Sequence, residues 1–312
     1  MHTNSKHPLL SICIPTFNRE KPLKNLLDSI LNCLELQPEL IHQTEIVISD
    51  NHSSDRTEDI ARTFEPKLHR IVFAKNHQNM GYAANINKAV SIASGKYCWL
   101  MGSDETLTSS SLISIFNEIS HNTPDLIVGS AVTNGHTRAF FGEKSFSRQI
   151  ENQKSIIDII YKSSEISALF AFLSTIIIKR EFWTQAQLTN FELMHPYTHT
   201  IRTFKILANN RVKFSYISNP LVSTGSEPNE YNSSLHKHLL LDLKTFDYIF
   251  RNIIIPPDEI KKHLLNLFKK QYPPRRLIFC RATANPGEWK VVTELFHNLG
   301  FEIDPTDRKS VV

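Results

Sequence analysis

Apolar residues recur at two periods along the first third of the chain. Leu9 to Pro15 (LLSICIP) is mostly apolar, β-rich at its centre and stopped by proline, the pattern of a strand covered on both faces. From Pro22 the period lengthens, with Leu23, Leu26, Leu27, Ile30, Leu31 and Leu34 on one side of a helix. Short strands are expected at 45–49 (EIVIS), 70–74 (RIVFA) and 97–101, and a fifth begins at 126. Between them, Asp55 with Glu58 has the form of an N-terminal capping box for a helix to about residue 64. A second helix is expected over 81–94, with Gly95 as its C′ residue, and a third from roughly 109 to 120. Strand and helix thus alternate four times with short connections, which predicts an α/β fold with a mostly parallel sheet and helices on both faces.

Beyond residue 128 the pattern loosens. Residues 129–151 read as a loop or an antiparallel edge, 156–162 and 167–172 as helical, and 173–179 as a strand. A helix is expected at 200–209 and a final strand pair at 212–217 and 220–222. Residues 226–234 are rich in Ser, Asn and Pro and read as a linker, so we divide the chain into 1–225 and a helical C-terminal appendage, 226–312. In the appendage, helical spacing covers 235–250 and 257–272. Asn285, Pro286 and Glu288 form an N-terminal signature for a last helix closed by Gly300.

Composition changes this picture little. A chain of 312 residues with 41% hydrophobic and 21% charged residues reads as globular, and a net charge of +4 is too small to argue for nucleic acid. Cys13, Cys33, Cys98 and Cys280 are scattered without a CxxC pair, so no zinc site or disulfide framework is indicated. Residues 1–8 are polar with no apolar core of a signal peptide, and no run reaches the length of a membrane span. Together these features lead us to expect a cytoplasmic protein.

The candidate chemistry sits at the strand ends. Thr16–Arg19, Asp50–Asp55, Asn76–Asn85 and Ser103–Glu105 are polar clusters at or after the carboxyl ends of predicted strands, which in a parallel sheet meet along one edge. The first turn, Pro15-Thr16-Phe17-Asn18-Arg19, lacks GxGxxG, which argues against a dinucleotide enzyme. Asp104 and Glu105 are adjacent carboxylates at a buried strand end, read either as a metal or ligand site or as a turn capping the next helix.

Four segments carry a resemblance. Ile12 to Arg19, Ile48 to Thr57, Asn76 to Asn87 (NHQNMGYAANIN) and Gly95 to Glu105 resemble, in order, the motifs of family-two glycosyltransferases of the GT-A fold. The resemblance is strong over residues 9–107 and weak beyond. It implies a nucleotide-sugar donor, with Pro15, Thr16, Asn18 and Asp50 at the nucleoside. Asn79, Gly81 and Asn85 would stand near ribose and diphosphate, and Ser103 and Asp104 at the acidic motif. It also implies Mg²⁺ or Mn²⁺ on Asp104, with Glu105 second or merely nearby. Gly102 stands where the first Asp of the DxD motif is usual. The bland alternatives are a strand-ending turn for Asp50 and buried helix packing for Asn85.

Inverting transfer requires a base. Tyr197 to Leu207 resembles abequosyltransferase-like members, which points to His199, with Glu192 as the carboxylate alternative. For each, a solvated or helix-capping side chain is the competing reading. The acceptor implied is a glycan or lipid-linked glycan of surface polysaccharide or lipopolysaccharide synthesis. The other reading is a non-catalytic nucleotide-sugar-binding protein with a degenerate site. Lysines and arginines at 261–262, 269–270 and 275–276, beside Leu264, Leu265, Leu267 and Phe268, read either as a peripheral contact with the inner face of the cytoplasmic membrane or as a solvated helix face. Assembly into a homo-oligomer is left open, and no nucleic-acid partner is expected.

Overall fold

A computed structural model describes residues 7–224 and 235–299. The N-terminal residues 1–6, the 226–234 linker and the Gly300 helix stop lie outside the described residues. The strands are β1 (Leu10–Thr16), β2 (Thr44–Asp50), β3 (Ile71–Lys75), β4 (Tyr97–Leu100), β5 (Glu105–Leu107), β6 (Leu126–Thr133), β7 (His136–Arg138), β8 (Phe146–Ile150), β9 (Ile176–Lys179) and β10 (Val212–Thr224). They form one sheet in the order β3-β2-β1-β4-β9-β6-β10-β5, with β7 on β6 and β8 on β10.

The first four strands run parallel, and every residue of β1 and β2 is buried, as continuous apolar runs require when both faces are covered. Register carries the functional consequence. Thr16 lies opposite Asp50, and Asp50 opposite Lys75, so the ends of three strands stop level with one another. Met101 N–H donates to Cys13 O, so the acidic loop leaves the sheet beside them.

Further along, β9 is antiparallel and inserts between β4 and β6, while β5 pairs antiparallel with β10. The uncertain 129–151 stretch contains the antiparallel edge rather than a free loop, because β8 pairs with β10 over five residues. Expected strand 173–179 splits into a 3-10 turn and β9. Over 167–172 only a short 3-10 turn forms, at 166–168.

Helices α1 (Glu20–Leu36), α2 (Thr57–Phe64), α3 (Tyr82–Ile92) and α4 (Ser111–Asn122) follow their strands as expected. The Asp55–Glu58 capping box does not form. Asp55 instead accepts from Thr57 N–H at 3.0 Å and from Glu20 N–H at 3.1 Å, tying the starts of α2 and α1 together, and Glu58 turns to Arg62 and Lys75. Nor is Gly95 a left-handed cap, since α3 ends at Ile92. A side chain at Gly95 would meet Ser11 Oγ at 2.5 Å and Ser11 N at 2.8 Å, so close backbone packing explains the glycine.

The chain continues through α5 (Gln153–Lys162), α6 (Arg180–Gln185), α7 (Asn190–Met194), α8 (Thr198–Asn209), α9 (Leu235–Asn252), α10 (Asp258–Gln271), α11 (Pro274–Thr283) and α12 (Pro286–Asn298). The Asn285 box is present, with Asn285 Oδ1 accepting from Glu288 N–H and Glu288 accepting from Asn285 N–H. The C-terminal helices do not stand apart. Phe246 of α9 meets Phe204 of α8 and Phe268 of α10, and all lie in one apolar core with the sheet. Leu264, Leu267 and Phe268 are buried in that core, so the α10 apolar face is unavailable to a membrane, while Lys262, Lys269 and Lys270 are exposed. No helix among the described residues is long and apolar enough to cross a membrane.

A buried carboxyl marks this junction. Asp242 of α9 accepts from the Tyr272 hydroxyl and from Gln271 Nε2, and burial pushes its carboxyl up to about 7 although the Tyr272 and Tyr197 hydroxyls pull the other way. The folded protein therefore holds the Asp242 proton more tightly than the unfolded chain, and stability falls as pH rises from the ordinary carboxylate range to about 7. Asp242→Asn should flatten that part of a stability-versus-pH curve measured by urea unfolding, whereas an unchanged slope would remove Asp242 as its source. Gly95→Ala should cost about 1–3 kcal/mol in the same measurement, because the backbone of Ser11 must move.

Candidate functional site

At the edge where β1, β2 and β3 end, side-chain amides add to the last backbone pairs, Asn51 N–H to Thr16 O and Asn76 N–H to Asp50 O. Asn85 of α3 is buried against this edge. Its Nδ2 donates to Ser49 O at 2.9 Å and Thr16 O at 3.3 Å, and its Oδ1 accepts from Ser49 Oγ at 2.7 Å and Asn76 Nδ2 at 3.0 Å. One amide thus binds β1, β2 and the loop after β3, with its hydrogen-bonding capacity spent inside the protein. Asn85 is therefore a buried packing residue behind this edge and presents no free polar group to it.

The network continues outward. Asn51 Oδ1 accepts from Asn76 Nδ2 and from Met80 N–H, and Asn51 Nδ2 donates to Asn79 Oδ1 at 2.7 Å. Asn79 Oδ1 in turn accepts from Gly81 N–H at 2.9 Å, where a φ of 84° lets the chain turn into α3. Asn18, at a φ of 51°, donates its N–H to Ser53 Oγ at 2.8 Å and accepts from Ser54 N–H at 2.9 Å. Asparagine tolerates this left-handed conformation better than most residues.

Asp50 is wholly buried and folded onto its own turn. Ser53 donates to it through both N–H and hydroxyl, and Lys75 Nζ lies 3.9 Å from Oδ2. In this arrangement Asp50 shapes the 50–55 turn, and its carboxylate is not turned to the open edge. The buried Thr16 hydroxyl has no partner, an open hydrogen-bonding group at the end of β1. Pro15 stands opposite Ser49 just before it.

The acidic loop is braced from β9's side. Trp99 Nε1 donates to Ser174 O at 2.8 Å, and Gly102 N–H donates to Ser174 Oγ at 3.0 Å. A Cβ at Gly102 would lie 3.1 Å from Asp104 Oδ1 and 3.2 Å from Ser174 Oγ, so a side chain here would require these neighbours to give by a few tenths of an ångström. Ser103 is buried, Asp104 is exposed and Glu105 is buried at the start of β5. Burial, and then the Asp104 charge, push the Glu105 carboxyl up to about 8, while Arg138 pulls it down. Glu105 Oε2 is buried with no partner.

Arg138 drew no attention in the sequence because it lies in the aperiodic 129–151 stretch. Its Nε donates to Glu165 at 3.1 Å and its Nη2 to Glu165 and to Ser167 Oγ, and its guanidinium lies over Phe140 and Phe172. It is a fixed cation on the Glu105 side of the edge, two residues of chain from the Ser174 brace through Phe172.

The two candidate bases are built into the scaffold. Glu192, 1% exposed, caps α7 by accepting from Thr189 N–H and also accepts from Lys205 Nζ at 2.6 Å and the Tyr248 hydroxyl at 2.8 Å. Burial pushes its carboxyl up, but Lys205, Thr189 and Tyr248 outweigh it and hold it below the usual range. His199 is also 1% exposed, with Nε2 at 3.3 Å from Ala171 O and Nδ1 unpartnered. Burial pulls its imidazole down to about 4, so it is neutral across physiological pH. The capping alternative describes Glu192, and neither side chain reaches an open surface.

As to a cation, Asp104 and Glu105 supply two hard oxygen donors, one with an unpaired buried oxygen. That suits Mg²⁺ or Mn²⁺, which commonly takes one or two carboxylates and completes its shell with water and phosphate oxygens. Among the described residues no group of three His, Cys, Asp or Glu could hold a metal alone.

Comparison with known proteins gives the site its context. The family model described as glycosyl transferase family 2 matches residues 11–183. Abequosyltransferase RfbV of Salmonella typhimurium is 26% identical over 309 residues, spanning 94% of this chain and 90% of that protein. Among solved structures, S. aureus TarS 1-349 in complex with UDP-GlcNAc superposes with a TM-score of 0.66 at 18% identity, covering 93% of this chain and 80% of that one. Mannosyltransferase PcManGT from Pyrobaculum calidifontis, in complex with GDP-Man and Mn²⁺, has a TM-score of 0.60 at 13% identity, covering 98% and 85%. These structural likenesses show a shared GT-A fold.

Asn85→Ala should destabilise the protein by about 1–3 kcal/mol, because it removes the side-chain partner of the buried Ser49 hydroxyl and carbonyl, while the Thr16 carbonyl keeps the Asn51 N–H. Urea unfolding measures this, and a change below a few tenths would show that the amide network carries no weight.

Proposed function

The chain belongs to glycosyltransferase family 2, and on that footing we propose that it transfers a hexose or deoxyhexose from a nucleotide-sugar donor to a glycan or lipid-linked glycan in surface polysaccharide or lipopolysaccharide synthesis. The observation that carries this is the level edge of Thr16, Asp50 and Lys75, with the acidic loop beside it. A sugar nucleotide needs a nucleoside wall and a charge-neutralising group for its diphosphate in one cleft. The relative with 94% coverage is named for transfer of a deoxysugar, and two structural neighbours were solved with UDP-GlcNAc and GDP-Man.

In this reading the 16–19 and 50–55 turns wall the nucleoside, with the unpartnered Thr16 hydroxyl and the Pro15–Thr16 backbone facing it. Asp50 holds the second turn in shape. Asn79 and Gly81 set the entry to α3 beside the ribose, and Ser103 and Asp104 face the diphosphate. Asp104 and Glu105 would hold the cation, which would offset the negative charge that builds on the departing nucleoside diphosphate. Arg138, held rigid by Glu165, adds a fixed positive charge on the same side.

Transfer is an inverting single displacement. The acceptor oxygen forms a bond to the anomeric carbon as the bond from that carbon to the phosphate oxygen breaks; the electron pair leaves with the diphosphate, and the proton of the acceptor hydroxyl passes to water at the open edge. A nucleotide-sugar donor supports a cytoplasmic site of action in this reading. The four cysteines are all buried free thiols, in keeping with that.

Transfer assays across UDP-, GDP-, CDP- and dTDP-sugars, with and without Mn²⁺, test the reading. One donor should be consumed in a cation-dependent way, and binding of none would overturn it. Asp104→Ala should lower kcat/KM by about 10²-fold or more, equivalent to roughly 2.7 kcal/mol of transition-state stabilisation. Its circular dichroism and Tm should stay near wild type, because the side chain is exposed. Wild-type turnover would remove Asp104 from the mechanism.

A further inference from the structure

Residues 260–287 hold seven Lys and Arg and no Asp or Glu, the longest such imbalance in the C-terminal region. The fold concentrates its outer surface on α11. Leu277 and Cys280 of that helix point into the core, while Arg275, Ile278, Phe279 and Ala282, spaced three and four apart, form an exposed face. Ile278 is 54% and Phe279 46% exposed, two adjacent large apolar side chains on the outer surface. Lys269, Lys270 and Arg276 are exposed alongside. Lys270 donates to Ser164 O and Arg276 to Gln271 O, and no carboxylate of the described residues pairs with Lys269, Arg275, Arg276 or Arg281.

We propose that α11 is a docking face for an anionic lipid surface, with Ile278 and Phe279 entering the headgroup boundary and Lys269, Arg275 and Arg276 meeting lipid phosphates. The occupant follows from charge complementarity. A protein partner would have to bring a compensating acidic patch, whereas an anionic bilayer presents negative charge and an apolar layer together. The α10 helix cannot serve, since its apolar residues are in the core.

The position of the face gives it a purpose. Gln271, at the root of α11, accepts from Ser167 Oγ at 3.2 Å, and Arg138 Nη2 donates to the same hydroxyl at 2.7 Å. Arg138 also acts on Glu105. Hydrogen bonds therefore join the root of the docking helix to Arg138, whose charge is felt at the acidic loop, and on the transfer reading a surface held at α11 would carry a lipid-linked acceptor. Docking itself needs no sugar nucleotide, so its failure and the failure of the transfer reading are separable.

The test is co-sedimentation of the full chain with vesicles of equal parts phosphatidylglycerol and phosphatidylcholine, with pure phosphatidylcholine as the neutral comparison. The wild type should bind the anionic vesicles and release as salt is raised. Ile278→Ser with Phe279→Ser, and separately Arg275→Glu with Arg276→Glu, should each weaken binding by about tenfold or more, since each basic residue near such a surface contributes roughly fivefold. Leu36→Ser, which removes a 65% exposed apolar side chain at the end of α1, should leave it unchanged. Circular dichroism and donor consumption with a soluble acceptor keep misfolding apart from lost docking.

Equal binding by wild type and both double variants would overturn the proposal, as would no binding by the wild type. Light scattering that shows a dimer dissolved by the Ile278/Phe279 variant, without vesicle binding, would assign the face to a second copy instead.

Discussion

The side-chain amide of Asn85 is the constraint on which the site depends. Parallel strands end with carbonyls and N–H groups that no neighbour completes, and a cleft placed there must satisfy them without filling itself. Asn85 does so from α3, pairing with Ser49 and Thr16 across two strands and with Asn76 beyond the third. Asn51 and Asn79 then carry the same currency of bonds to Gly81 and the start of α3. The edge is rigid because buried amides leave no alternative partners, and an unmet one costs on the order of 1–3 kcal/mol. A site for a charged, flexible ligand gains from a wall fixed before the ligand arrives.

The acidic loop shows a second use of the same principle. Its brace, Ser174, comes from a segment that follows the sheet's switch to antiparallel pairing, next to Phe170 with its φ of 65°. Strain at a bulky buried residue persists where the surroundings hold it, here Phe204, Phe214 and the Thr200 hydroxyl. Glycine at position 102 lets the loop pass close against Ser174, with the carboxylate of Asp104 in tight contact on its other side. The single exposed acid and its buried neighbour are thus a compact arrangement with its own packing logic.

Much of this was legible in the sequence. The apolar runs of β1 and β2 and the helical spacing after Pro22 carry strong periods, and strand-end polar clusters in a parallel sheet must converge. What the sequence could not show was pairing between distant segments. Nothing local to Leu173–Lys179 says that β9 inserts antiparallel between β4 and β6. Glu192 reads as a free carboxylate until Lys205 and Tyr248, 13 and 56 residues further on, fold over it. Asp55 has the spacing of a capping box, yet the N–H of Glu20 competes for it. Arg138 is silent because its partners, Glu165 and Ser167, lie across an aperiodic stretch.

Hydrogen exchange followed with and without the consumed sugar nucleotide and Mn²⁺ tests most directly whether the strand-end edge is the donor site. Protection should concentrate at residues 16–19, 50–55, 79–82 and 102–105, with the C-terminal helices unchanged. Protection confined to another surface, such as the cleft between Phe141 and Lys162, with those four segments unaltered, would contradict the account.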